Sequence, residues 1–127
     1  LGKAAESVFF GGVIAVDKIA EKYTEAEVCV FPSHMETLGL VAPEAMACGK
    51  VVIFTNRGPG AEVITNKITG LLVDPLNPKE IAAAIVWVFE HQKETLAIGN
   101  NAKDAVFKRF ALSEAIERNL RFYKSLF

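Results

Sequence analysis

From Val28 to Ile64 the chain reads V-C-V-F-P-S-H-M-E-T-L-G-L-V-A-P-E-A-M-A-C-G-K-V-V-I-F-T-N-R-G-P-G-A-E-V-I. Val28 to Phe31 is apolar at every position, the pattern of a strand buried on both faces of a parallel sheet. Pro32 has no N–H for a ladder, so the strand stops there. A loop follows with one carboxylate, Glu36, and then Gly39. The next segment reads as a helix with a second carboxylate, Glu44, in its first turn. Pro43 fits that first turn, and Gly49 fits a left-handed cap at the far end. A second continuously apolar strand, Val51 to Phe54, begins at once. The unit is strand–loop–helix–strand, with two acids at the carboxyl edge of the sheet. In open parallel sheets ligands sit at that edge.

Working outward, Val8-Phe9-Phe10 reads as a buried strand stopped by Gly11-Gly12. Asp17 starts a helix running to about Tyr23, with Ile19, Ala20 and Tyr23 on one face. After the second strand, Thr55 to Gly60 is a turn-rich loop, and Ala61 to Ile64 a single helical turn. Gly70 to Val73 is a fourth short strand. Pro78 suits the first turn of a long helix to about His91, with Ile81, Ile85, Val88 and Phe89 as its buried stripe. A second helix from Glu94 to about Phe107 is weakened by Gly99-Asn100-Asn101. A last helix is capped by Ser113, with Ile116, Leu120, Tyr123 and Phe127 along one face. Strands alternate with helices as far as residue 91, and helices dominate afterwards. The expected class is α/β: a Rossmann-like parallel sheet of about four strands, helices on both faces, and a helical C-terminal part over 78–127.

The composition limits the functional classes. The 127 residues are 51% hydrophobic, enough to bury a core in one small domain. Net charge is -1, with acids and bases interspersed, so there is no basic footprint for nucleic acid. The longest apolar run, Ala82 to Phe89, is far short of the roughly 20 residues a membrane span requires. No secretory leader pattern follows Leu1, and with no initiator Met the chain reads as a fragment. Cys29 and Cys48 occupy apolar positions and read as reduced core residues, which fits a cytoplasmic location.

Seven residues separate Glu36 from Glu44, and the loop between them folds the chain back. Both acids therefore belong beside the helix N-terminus, whose amides and dipole favour an anion such as a phosphate. Gly39 admits a ligand close to the backbone. Carboxylates beside a phosphate suit hydroxyl donors, so this corner fits a sugar on one side and a ribose on the other. The spacing alone is equally compatible with Glu44 complementing the helix dipole and Glu36 as a solvated loop acid. An acid/base pair of a hydrolase fits less well, because glycosidase acids come from separate elements across a cleft.

The wider pattern resembles the donor-binding half of family 4 of the retaining nucleotide-sugar glycosyltransferases, which have the GT-B fold. The resemblance rests on F-P-S, Glu36-x7-Glu44, E-A-M-A-C-G at Glu44 to Gly49, V-I-F-T-N-R-G-P-G-A-E-V-I, T-G-L-L-V-D-P at Thr69 to Pro75, and V-F-F-G-G-V at Val8 to Val13. It implies that residues 1–127 are a single incomplete donor domain, the C-terminal portion of the enzyme. It implies Glu36 at the transferred sugar as the catalytic-centre acid. It gives Gly39 and Leu40 amides for the sugar or diphosphate, Glu44 for the ribose hydroxyls, and the Val13 backbone for the base. It also implies no metal and no cofactor beyond the nucleotide-sugar substrate.

Three departures stand out. Thr37-Leu38 replaces the common Gly-Phe after the first Glu, which bears on sugar preference. Val51 stands where a Pro is common. The Arg and Lys that neutralise the diphosphate belong to a segment preceding Val8 that is absent, as is the acceptor-binding N-terminal domain. Transfer requires the leaving group's charge to be balanced and the acceptor to be held in line, so the isolated chain is expected to be inactive. Its exposed sheet edge is expected to favour self-association. The basic cluster Lys103, Lys108, Arg109, Arg118 and Arg121 reads first as a solvated face, since acids are interspersed; in a membrane-peripheral full-length enzyme such a face could meet anionic lipid. The alternatives are a non-catalytic nucleotide-sugar-binding or structural domain, and a sugar-nucleotide epimerase-like enzyme. His34, Arg57 and Glu62 lie in loops near the site and read first as solvated side chains. His91 reads as a helix-end cation and Trp87 as packing.

Overall fold

The computed structural model describes residues 6–127. Its elements in order are a 3-10 turn Val16–Lys18, α1 Ile19–Glu25, β1 Val28–Phe31, α2 Val41–Ala47, β2 Val51–Thr55, α3 Gly60–Val63, β3 Leu71–Val73, α4 Pro78–Glu90, α5 Gln92–Phe110 and α6 Leu112–Lys124. The strands form one parallel sheet in the order β1-β2-β3. Val28 pairs with Val51 and Phe31 with Phe54; Ile53 pairs with Leu71 and Thr55 with Val73. The class is the α/β arrangement expected from the alternation of strands and helices.

Alternation along β2 sends its residues to two cores. Val52 and Phe54 join Cys29, Ala42, Ala45, Met46 and Tyr23, with Ala102 and Val106 of α5. Val51 and Ile53 join Leu71, Val73, Val88 of α4 and Ile98 of α5 on the opposite face. Helices therefore cover both faces, and every residue of β2 is buried. A central strand covered on both faces must be apolar throughout, which is why V-V-I-F carried so clear a signal.

The strand expected at Val8 to Phe10 does not form, so the sheet has three strands rather than four. Those residues are irregular and exposed, Phe9 to 91% and Phe10 to 83%. An apolar triad becomes a strand only beside a strand that takes its N–H and C=O groups. Among the described residues β1 pairs only with β2, and no strand stands beside residues 8–10.

The helices run close to their expected bounds. Asn77 caps α4 by accepting from the Glu80 amide, and Pro78 takes the first position. α5 starts two residues earlier than expected and runs unbroken through Gly99. That glycine lets the helix lie against the α2–β2 turn, since a Cβ there would stand 2.5 Å from the Gly49 carbonyl oxygen. α6 begins at Leu112 with Ala111 at its cap, in place of the expected Ser113. α6 buries none of its residues.

Candidate functional site

The loop from Pro32 to Leu40 leaves the carboxyl end of β1 and delivers the chain to α2. It is held by its own acid. Glu36 Oε1 accepts from the amides of Thr37 and Gly39, each at 3.1 Å. Gly39 is buried, with φ +65°, and a Cβ there would stand 2.5 Å from Phe54 Cζ and 3.1 Å from Glu36 Cγ. The left-handed backbone and the ring beneath it both demand glycine. Ala42 then donates to the Gly39 carbonyl and Glu44 to the Leu40 carbonyl, which opens α2. The amides of Leu40 and Val41 precede those bonds, at the end of the helix where N–H groups lack helical partners.

Glu44 is exposed in the first turn of α2, and its Oε2 accepts from the Tyr23 hydroxyl at 3.1 Å. Tyr23 lies 9% exposed in the core between α1 and α2, its ring edge-on to Phe31 at 6.3 Å. Burial first, and then the hydrogen bond and charge of Glu44, push the Tyr23 phenol up to about 12. The hydroxyl keeps its proton well into the alkaline range.

The loop after β2 forms the opposite wall. Gly58, at φ +60°, leaves so little room that a Cβ would stand 2.8 Å from the Glu36 carbonyl oxygen. Gly60 is tighter still, with a Cβ position 1.9 Å from the Thr55 carbonyl oxygen. Arg57 sends its amide to Thr55 Oγ1 at 3.1 Å and its guanidinium Nε to Asp74 Oδ1 at 3.5 Å. Three strand ends thus contribute to one corner: Glu36 after β1, Arg57 and Gly58 after β2, and Asp74 after β3. Among the described residues no three His, Cys, Asp or Glu side chains gather closely enough to hold a metal ion. What the corner offers a ligand is carboxylates, backbone amides and one guanidinium.

The sequence profile of the family described as glycosyl transferases group 1 matches residues 2–105. The chain belongs to this family. An uncharacterized glycosyltransferase of Methanocaldococcus jannaschii, MJ1607, is 33% identical over 117 residues, covering 92% of this chain and 30% of the relative. The sucrose-phosphate synthase structure from Thermosynechococcus elongatus superposes with a TM-score of 0.86 at 34% identity, over 95% of this chain and 30% of that one. The Anabaena protein HepE, solved in complex with UDP-glucose, superposes at 0.73 with 26% identity, over 84% of this chain and 29% of that one. The chain therefore spans under a third of each of these three proteins, and its fold is that of part of a GT-B glycosyltransferase.

Within this group 1 chain, Glu36 bonds the Gly39 amide just before α2, Leu40 precedes the helix and Glu44 stands in its first turn. Val13 is wholly exposed in the irregular segment before the 3-10 turn. The sequence reading missed two groups. The sequence sets Tyr23 on one face of the helix with Ile19 and Ala20 and names no partner for its hydroxyl; the signal is that a phenol, once buried, requires one. Gly58 was one of several turn residues, and nothing local shows that it backs onto Glu36. His34 is exposed in the loop. His91 stacks on Trp87 at 4.6 Å, with its Nδ1 3.0 Å from the Trp87 carbonyl oxygen, at the far end of α4. The Glu62 backbone carbonyl accepts from the Arg109 guanidinium.

No helix among the described residues is long and apolar enough to cross a membrane. Cys29 is buried and Cys48 half-buried, and both are free thiols. Burial pushes the Cys29 thiol upward, away from reactivity.

Proposed function

We propose that this chain is the donor-binding portion of a retaining, family 4 glycosyltransferase, a single incomplete nucleotide-sugar-binding domain. The full protein moves a sugar, of hexosyl type, from a nucleoside diphosphate to an acceptor. The observation that carries this reading is the bracketing of Gly39 and the start of α2 by Glu36 and Glu44, at the carboxyl edge of a parallel sheet, in a group 1 chain. Glu36 meets the hydroxyls of the transferred sugar with the oxygen that its loop bonds do not use. The Gly39 and Leu40 amides meet the sugar or diphosphate. Glu44 accepts from the ribose diol. Val13 lines the base through its backbone. The leaving diphosphate is stabilised by amides and basic side chains, without a metal or further cofactor.

Acceptor binding and most of the positive charge for the leaving group belong to parts of the protein outside this chain. The relatives' greater length supports that division, and the chain by itself is inactive in transfer. The full-length enzyme is cytoplasmic and peripheral to the membrane. The test is titration of the chain with UDP, GDP and ADP by calorimetry and amide NMR. One nucleotide is expected to bind, shifting Gly39 to Glu44, and Glu44→Ala is expected to abolish that binding. Binding that leaves those amides unmoved overturns the reading.

A further inference from the structure

We propose that Tyr23 is a positioning residue for nucleotide binding: its hydroxyl fixes the Glu44 carboxylate in the orientation that receives the ribose diol. This inference rests on the reading of Glu44 given above. Glu44 projects from a solvent-facing position of α2, where a glutamate side chain samples many rotamers at a real entropic cost to any ligand that must order it. Here one of its oxygens is already engaged, Oε2 accepting from the Tyr23 hydroxyl at 3.1 Å. The donor itself is immobile. The Tyr23 ring is 9% exposed, belongs to the core cluster with Ala42, Ala45 and Met46, and stands edge-on to Phe31. Rigidity passes from the core, through one hydroxyl, to a surface carboxylate.

That arrangement divides the carboxylate. Oε2 is held by the protein, and no described residue bonds Oε1, which leaves its lone pairs for ligand hydroxyls. A phenol suits this role better than a cation at the same place. It donates one directional bond without cancelling the negative charge that attracts hydroxyl donors. Tyr23 is 21 residues ahead of Glu44 in sequence. The contact exists because α1 and α2 pack side by side on one face of the sheet.

The experiment uses the nucleoside diphosphate that binds best among UDP, GDP and ADP, alongside its 2′,3′-dideoxy analogue. Tyr23→Phe keeps the ring and its packing and removes the hydroxyl. It is expected to weaken the ribonucleotide about tenfold, the scale of a bond to a charged acceptor, and to leave the dideoxy analogue unchanged. If Tyr23→Phe leaves ribonucleotide affinity intact while Glu44→Ala abolishes it, Glu44 keeps its role and the assignment to Tyr23 is wrong. If Glu44→Ala also leaves affinity intact, the ribose reading falls and takes Tyr23 with it. Failure of the unmodified chain to bind any of the three at millimolar concentration counts against both. If Tyr23→Phe does not fold, fluorotyrosine can be incorporated into a Tyr123→Phe chain, changing only the acidity of the Tyr23 hydroxyl. An unchanged ratio of ribonucleotide to dideoxy affinity then overturns the assignment.

Discussion

The backbone of Gly39 rests on the ring of Phe54, so close that a Cβ on the glycine would stand 2.5 Å from Phe54 Cζ. The ring is fully buried at the end of the central strand, and it cannot retreat without displacing its own neighbours. Gly39→Ala therefore meets two penalties. The left-handed backbone costs about 1–2 kcal/mol for a residue with a Cβ. Displacing a close-packed ring costs about 1–3 kcal/mol more. Gly49 provides the control. Its φ is +73°, and the nearest neighbour of a Cβ there is the flexible end of Lys103 at 3.9 Å. In urea denaturation Gly49→Ala is expected to lose the backbone term alone, and Gly39→Ala measurably more.

Under the proposed function Glu36 has two duties, the loop bonds it makes and the contact with sugar hydroxyls assigned to it, and substitution can separate them. Its Oε1 holds the Thr37 and Gly39 amides, and an amide oxygen can accept those bonds as well. Glu36→Gln is expected to keep the loop and lose the negative charge offered to sugar hydroxyls. Glu36→Ala is expected to release the loop, at about 1–2 kcal/mol of stability. Amide chemical shifts at Thr37 and Gly39 check this: near-native in Glu36→Gln and displaced in Glu36→Ala. Displacement in both would mean that charge, rather than an acceptor atom, holds the loop.

Tyr23 sets an alkaline limit. Its phenol stands at about 12 in the folded chain against an ordinary 10.0, raised by burial first and by Glu44 second. The native state holds the proton more tightly than the unfolded state. The resulting stability is complete below about pH 10 and is lost as pH climbs toward 12. Unmodified chain is expected to lose stability across that window, and Tyr23→Phe to show a shallower slope there. Denaturant midpoints measured at several alkaline pH values check the sign.

The outer side of β1 has no strand partner among the described residues, and Phe9 and Phe10 are exposed nearby in sequence. An open edge with loose apolar side chains favours pairing between copies. The chain is expected to self-associate as concentration rises. Light scattering that reads a monomer at high concentration would count against it.

Much of this molecule was legible because its punctuation is strong. Pro32, Gly49 and Pro78, with the apolar strands at Val28 to Phe31 and Val51 to Phe54, mark where elements start and stop, and the spacing of Glu36 and Glu44 places both acids beside the start of α2. The strand at Val8 to Phe10 was misread because apolar character is local and strand pairing is not. The mid-helix glycine of α5 looked like a weakness, but it is an accommodation to Gly49, a neighbour 50 residues away in sequence. The bond from Tyr23 to Glu44 was hidden for the same reason: it depends on which helices become neighbours. Glu36 was read as facing outward to a ligand, and half of its carboxylate in fact faces its own loop.

Because every residue of β2 is buried and Phe54 floors the bend at Gly39, this loop lacks the independence usual for ligand-binding segments. Its protection belongs to the core. The Gly39 amide, bonded to Glu36, is expected to exchange its hydrogen for deuterium on the same slow clock as the amide of Phe54. A bound nucleotide would then register far from itself, as slower exchange throughout the central strand.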